Sequence, residues 1–196
     1  ELSADLVPEL SQPGTFVGGE RRTLVGLPFN RSTPIAYLNG DVLRELGLSP
    51  PATWSELRAF AARATRRAGD EVSRWGFGCP IDWWFWVALV GQAGGELTGR
   101  VDGREVLTLG GTAGERALTF WQELVHEDRV MRPPPGRDYN AWQVTNTDFL
   151  SGKVAMTWTS TAFLRSPEDN AKGRFPVVAA PLPADVRRAV PTGGTF

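Results

Sequence analysis

Asp82-Trp83-Trp84-Phe85-Trp86 places three indoles within four positions. On a helix, positions 83 and 86 share one face while 84 points elsewhere, so the three cannot all serve one core. An indole has a broad apolar face and one hydrogen-bonding edge, which suits the C–H faces and hydroxyl edges of sugars and polyols. Packing against a sheet is the competing reading. It is strongest for Trp86, one turn further in, and weaker for Trp83 and Trp84 at a loop-to-helix junction, where pockets often lie.

Catalytic chemistry finds little support. His126 is the only His and Cys79 the only Cys. That excludes disulfide scaffolds and Cys/His zinc sites, and it leaves a Ser or Cys nucleophile almost no choice of base. His126 falls at the end of a helix, where a partial positive charge suits the macrodipole. Cys79 reads as a small buried hydrophobe. Neither a Gly-Xaa-Ser-Xaa-Gly elbow nor a Gly-Xaa4-Gly-Lys-Ser/Thr loop occurs. Gly91-Gln92-Ala93-Gly94-Gly95 follows a helix rather than a strand and reads as helix termination. A carboxylate pair for glycoside hydrolysis, whose members meet only in space, stays open. No metal and no cofactor is expected.

The 196 residues suffice for one well-buried domain or two small ones. Apolar residues make up 41% and charged residues 22%, ordinary values that exclude a disordered or fibrous chain. A net charge of -1 leaves no electrostatic footprint for nucleic acid or an anionic membrane. The longest apolar run, Trp83 to Val90, is too short to span a bilayer. No signal peptide is visible at the N-terminus, as a processed or trimmed chain would also show.

The elements that must position these residues alternate between strands and helices, which predicts an α/β fold. Asp5–Leu10 reads as the end of a helix, and Gln12–Glu20 as a loop. Thr23–Leu27 and Pro34–Leu38 read as strands separated by a turn at Asn30–Thr33. Asp41 is expected to cap a helix over Val42–Leu46 that Gly47 stops. Thr53-Trp54-Ser55-Glu56 is a capping box opening a helix that Gly69 ends, with Trp54, Leu57, Phe60, Ala61 and Ala64 inward. Trp75–Cys79 reads as a strand, and Trp83–Ala93 as a buried helix. Thr112-Ala113-Gly114-Glu115 reads as a second capping box, with Leu118, Trp121, Leu124 and Val125 inward. Arg129–Arg137 reads as a loop and Asn146–Leu150 as a helix. Lys153–Trp158, Phe175–Ala180 and Ala189–Pro191 read as strands.

Four segments in order carry a resemblance. Leu27-Pro28-Phe29-Asn30-Arg31-Ser32-Thr33-Pro34-Ile35-Ala36-Tyr37-Leu38-Asn39 resembles the first hinge crossing of the extracytoplasmic solute-binding proteins of ABC importers, above all the sugar and glycerol-3-phosphate binders. Pro51-Ala52-Thr53-Trp54-Ser55-Glu56-Leu57 resembles a helix start of that family. Phe149-Leu150-Ser151-Gly152-Lys153-Val154-Ala155-Met156 resembles that family's Phe-Xaa-Xaa-Gly-Lys-Xaa-Ala-Met segment, and Pro191-Thr192-Gly193-Gly194-Thr195-Phe196 its return crossing.

The resemblance implies a periplasmic-binding-protein-like (type II) lobe, part of a two-lobe protein. Residues 1–29 would end the first lobe and hold the first hinge strand, 30–190 would form the second α/β lobe, and 191–196 the return hinge strand. It implies an extracytoplasmic binder, periplasmic or lipid-anchored. A sugar, polyol or glycerol-phosphate-like solute would be its ligand and the ABC permease subunits its partners. Carried over by position, Trp83 would stack on the ligand beside Trp84. Ser32, Ser160 and Thr161 would serve its hydroxyls, and Gly193 and Gly194 would form the hinge pair. Turn capping competes for Ser32, Ser160 and Thr161, and simple turn chemistry for the two glycines. Arg31 stands where the glycerol-phosphate binders carry a small residue, and solvation is the favoured role for it. The rival functions are a lobe of a carbohydrate-active hydrolase and an interaction module without a ligand.

Overall fold

The structure is a computed structural model that describes residues 15–18, 21–24, 26, 29–133, 140–163, 171, 173–191 and 193–195. The expected helix end at Asp5–Leu10 and the prolines at 134–136 lie outside these residues. The chain divides into two compact units. Residues up to Thr33 and from Thr192 onward form one, and Pro34–Pro191 form the other.

In the first unit, β1 (Thr15–Gly18) pairs antiparallel with β2 (Arg21–Leu24). The stretch expected as a loop therefore contains a strand. β3 (Asn30–Ser32) pairs antiparallel with β12 (Gly193–Thr195). Asn30–Ser32 was expected as a turn, and Ala189–Pro191 as a strand. Both expectations fail for one reason: the ladder joins segments at opposite ends of the described chain, a pairing that local sequence cannot report.

The second unit is built on one sheet of β4 (Pro34–Asn39), β5 (Arg66–Ala68), β6 (Glu71–Gly78), β9 (Met131–Arg132), β10 (Val154–Ser160) and β11 (Val177–Ala180). Its order is β11-β4-β10-β6-β5, with β9 also on β6. β6 runs parallel to β10 and to β9, whereas β4 is antiparallel to β10 and β11. Val154 through Thr159 are all buried, as expected of a central strand covered on both faces.

The helices follow from their caps. α1 (Gly40–Leu46) is capped by Asn39, whose Oδ1 accepts from Asp41 N at 3.0 Å and Val42 N at 3.3 Å. Asp41, the expected cap, lies instead in the first turn and pairs with Arg44 at 2.8 Å. Gly47 ends this helix at φ 63°, a left-handed conformation that glycine adopts without strain. α2 (Trp54–Ala64) opens with the full capping box: Glu56 N donates to Thr53 Oγ1, and Thr53 N to Glu56 Oε2. It ends at Thr65 rather than Gly69, because Thr65 Oγ1 turns to donate to Ala61 O and to accept from Gly76 N. α2 lies so close to β6 that a Cβ on Gly76 would stand 2.0 Å from Ala61 O.

α3 (Trp83–Gln92) is capped by Asp82 and ends with Gly94 at φ 88°, so Gly91–Gly95 does terminate a helix. A hairpin of β7 (Thr98–Val101) and β8 (Arg104–Leu107) follows. α4 (Thr112–Gln122) starts from Gly111 without a side-chain cap, so the second capping box does not form. Its buried face is Gly114, Ala117, Phe120 and Trp121, continued by Leu124 in a wider π-type turn over Glu123–Glu127. Leu118, expected inward, is 56% exposed. α5 (Asn140–Leu150) begins earlier than expected and packs on β10. No helix of the described residues is long and apolar enough to cross a membrane.

Candidate functional site

Parallel strands deliver their carboxyl ends to one side of a sheet, where α/β proteins place ligands. In the second unit, Gly78 is the register partner of both Thr157 and Arg132, so the ends of β6, β10 and β9 line up. Beyond β6 the chain runs through Cys79 and Asp82 into α3. Beyond β10 it runs through Ser160 into a single 3₁₀ turn, Thr161–Phe163. Trp83, Trp84, Ser160 and Thr161 are thus delivered by two adjacent parallel strands.

Asp82 organises this end. Its Oδ1 accepts from Trp84 N at 2.9 Å, and its Oδ2 accepts from Trp142 Nε1 at 3.2 Å. The first bond caps α3 and the second ties α5 to it. Trp83, the first residue of α3, is 69% exposed. Trp84 is 7% exposed and lies 6.0 Å from the Trp142 ring. Behind them Phe85 packs on Trp142 at 5.2 Å and on Trp158 at 6.1 Å, and Trp158 on Phe77 at 5.1 Å. Trp83 is therefore an indole presented to water at the first turn of α3, next in the chain to Trp84, which belongs to a continuous aromatic cluster. Trp84 Nε1 is buried with no acceptor among the described residues, as are Trp121 Nε1 and Trp158 Nε1 deeper in the core.

Ser160 Oγ accepts from Ala162 N at 3.1 Å, which is turn capping, and its carbonyl accepts from Tyr37 Oη at 3.3 Å. Thr161 is half-buried. In the first unit, Ser32 faces Gly193 across the β3–β12 ladder and Arg31 faces Gly194. The seven expected positions thus form two groups, one in each unit.

Trp86 is half-buried and stacked on Trp121 at 6.1 Å, a packing role. Cys79 is fully buried; burial, and next the Asp82 charge, push its thiol well above the ordinary range, which leaves no nucleophile there. His126 is exposed in the last turn before Asp128. No group of three potential metal ligands occurs among the described residues. A groove of about 380 Å³ between α2 and α4 is lined by Trp54, Arg58, Arg116, Glu123 and Asp185. Its cations are already paired, Arg58 with Glu123 and Asp128, Arg116 with Asp185. Sequence reasoning missed Trp142 and the tie at Asp82. The aspartate's place before the helix was visible, but not a partner 60 residues away.

The model of the family described as "Bacterial extracellular solute-binding protein" matches residues 2–195. The chain belongs to that family. Among the curated relatives, the sn-glycerol-3-phosphate-binding periplasmic protein UgpB of Yersinia pseudotuberculosis is 26% identical over 185 residues, covering 90% of this chain and 40% of the relative. The chain thus spans well under half the length of that relative. Among solved structures, UgpB of Mycobacterium tuberculosis in complex with glycerophosphocholine is 26% identical, with a TM-score of 0.77 over 98% of this chain and 47% of that one. The GacH receptor of Streptomyces glaucescens, solved unliganded and with acarbose, has a TM-score of 0.80 at 22% identity, covering 99% of this chain and 47% of that one. It shows the same α/β type II binding-protein fold. The relatives are solute-binding proteins and not enzymes, and the hydrolase alternative gains no support.

Proposed function

We propose that the chain is the ligand-binding part of the solute-binding component of an ABC importer. It captures a sugar, polyol or glycerol-phosphate-like solute outside the cytoplasmic membrane and presents it to the permease subunits. The family's extracellular description and its periplasmic relatives support that location, whether free or lipid-anchored. The second unit acts as the second lobe of a two-lobe protein, and the first unit carries the end of the first lobe with the hinge strand β3 and the return strand β12.

The observation that carries this reading is Trp83, 69% exposed at the carboxyl end of the sheet in a chain of this family. Its indole covers the apolar face of the solute, with Trp84 as the wall behind it. Ser32, Ser160 and Thr161 serve hydroxyls, and Gly193 and Gly194 allow close approach of the return strand. The test is titration of the two-lobe protein with maltose, glucose, tagatose and glycerol 3-phosphate, followed by tryptophan fluorescence. Trp83→Ala is expected to weaken binding by about 1–3 kcal/mol, the scale of stacking on an aromatic side chain, without moving the melting temperature. Unchanged affinity would refute the stacking role.

A further inference from the structure

A helix of ten residues ordinarily offers its first N–H groups and the positive end of its dipole to an anion. α3 has filled that place with its own carboxylate. Asp82 accepts from Trp84 N through one oxygen and from Trp142 Nε1 through the other. Both bonds are to neutral donors, so the negative charge stays. Among the described residues no Arg or Lys forms an ion pair with Asp82. Arg132, the cation at the neighbouring end of β9, is committed to Asp148 at 2.5 Å. The charge sits one residue before Trp83 in the chain, and its second oxygen lies against the indole N–H of Trp142, whose ring packs on Trp84. Aromatic walls displace water, and a charge beside them acts with less screening than one in bulk solvent.

We propose that Asp82 is a specificity-determining residue that turns anionic groups away from the Trp83 surface. The solute resting on that surface is then an uncharged sugar or polyol rather than a phosphate ester. The proposal rests on the reading of Trp83 as the contact surface and narrows its ligand class.

Two measurements test it. The first needs no ligand: quenching of Trp83 fluorescence, taken as wild type minus Trp83→Phe, by iodide, caesium and acrylamide at low ionic strength. Trp142→Phe, which removes the tie to Trp142 and keeps the charge, is expected to leave the iodide constant unchanged. Asp82→Asn keeps an oxygen for the Trp84 N–H while removing the charge and the acceptor for Trp142 Nε1. It is expected to raise the iodide constant by about threefold, the scale of one charge acting through water over a few ångströms, and to leave acrylamide quenching unchanged. Asp82→Glu keeps the charge and is expected to keep iodide out. An unchanged iodide constant in Asp82→Asn, or a parallel rise with acrylamide, would overturn the proposal. The second is titration of the two-lobe protein. The wild type is expected to bind maltose, glucose or tagatose more tightly than glycerol 3-phosphate, with Asp82→Asn narrowing the gap about tenfold, the scale of one charge contact at a partly dry site. A gap that Asp82→Asn leaves unchanged overturns this proposal alone. A Trp83→Ala variant that keeps full affinity, or a wild type that binds none of the four, overturns the underlying reading with it.

Discussion

Trp54 and Trp83 occupy the same position in two helices, each the first residue after a side-chain N-cap, yet one is 6% exposed and the other 69%. Trp54 donates from Nε1 to Gln92 Oε1 at 2.8 Å, stacks on Phe120 at 4.4 Å, and its backbone N–H reaches Ala184 O at 2.9 Å. Trp83 begins α3 at the open end of the sheet and keeps its indole in solvent. Local chemistry at the two caps is alike. What separates the residues is whether later chain, here Gln92, Phe120 and Ala184, returns to cover them. An indole left uncovered forgoes a large burial gain, which the ligand contact proposed above would recover.

The largest expected effect breaks the pair apart. Trp54→Ala should lose about 3–5 kcal/mol of unfolding free energy in urea, whereas Trp83→Ala should stay within about 0.5 kcal/mol of wild type. Equal losses would mean that Trp83 is packed. Gln92→Leu sharpens the contrast from the partner's side. Gln92 also donates from Nε2 to Ala189 O at 3.1 Å. Removing the amide leaves a buried indole N–H and a carbonyl without partners, a cost of roughly 1–3 kcal/mol. A melting curve identical to wild type would show that water replaces it.

The caps come next. Thr53→Ala should cost about 1 kcal/mol and leave ligand affinity alone. Asp82→Ala should cost a similar amount and also change affinity, because it frees Trp142 as well. Calorimetric melts and titrations on the two variants, compared directly, decide whether the second cap has a role beyond its helix. The smallest effect is at Leu118. Leu118→Ser should fall within about 0.5 kcal/mol of wild type, since the residue is 56% exposed. A loss of several kcal/mol would restore the inward face expected from the spacing.

What the sequence made legible was local. The Thr53 capping box, the Gly47 stop and the inward positions Trp54, Leu57, Phe60, Ala61 and Ala64 depend on neighbours within a few residues, and all are present. The helix at Thr112 shows the limit: hydroxyl and carboxylate have the right spacing, yet the chain enters the helix at Gly111 and Thr112 is already inside it. The β3–β12 ladder and the Asp82–Trp142 tie needed contacts between distant segments. For that reason Asn30–Ser32 read as a turn and Trp142 had no role. Trp83 and Trp84 were found together by composition. Only burial separates the exposed ring of Trp83 from the buried ring of Trp84.

The order in which the two units are joined by the chain has a consequence for biosynthesis. The second unit is one uninterrupted stretch, Pro34–Pro191, and the last strand of its sheet ends at Ala180. A ribosome releases segments in sequence, and continuous domains can fold as they emerge. Asn30–Ser32 is made before the second unit, and its ladder partner Gly193–Thr195 only after it. Closing a loop of that length costs entropy that grows only slowly with its contour, and a folded second unit takes up most of that contour. The sheet can therefore assemble before the ladder closes, and β3 waits for its partner until Gly193–Thr195 has been made.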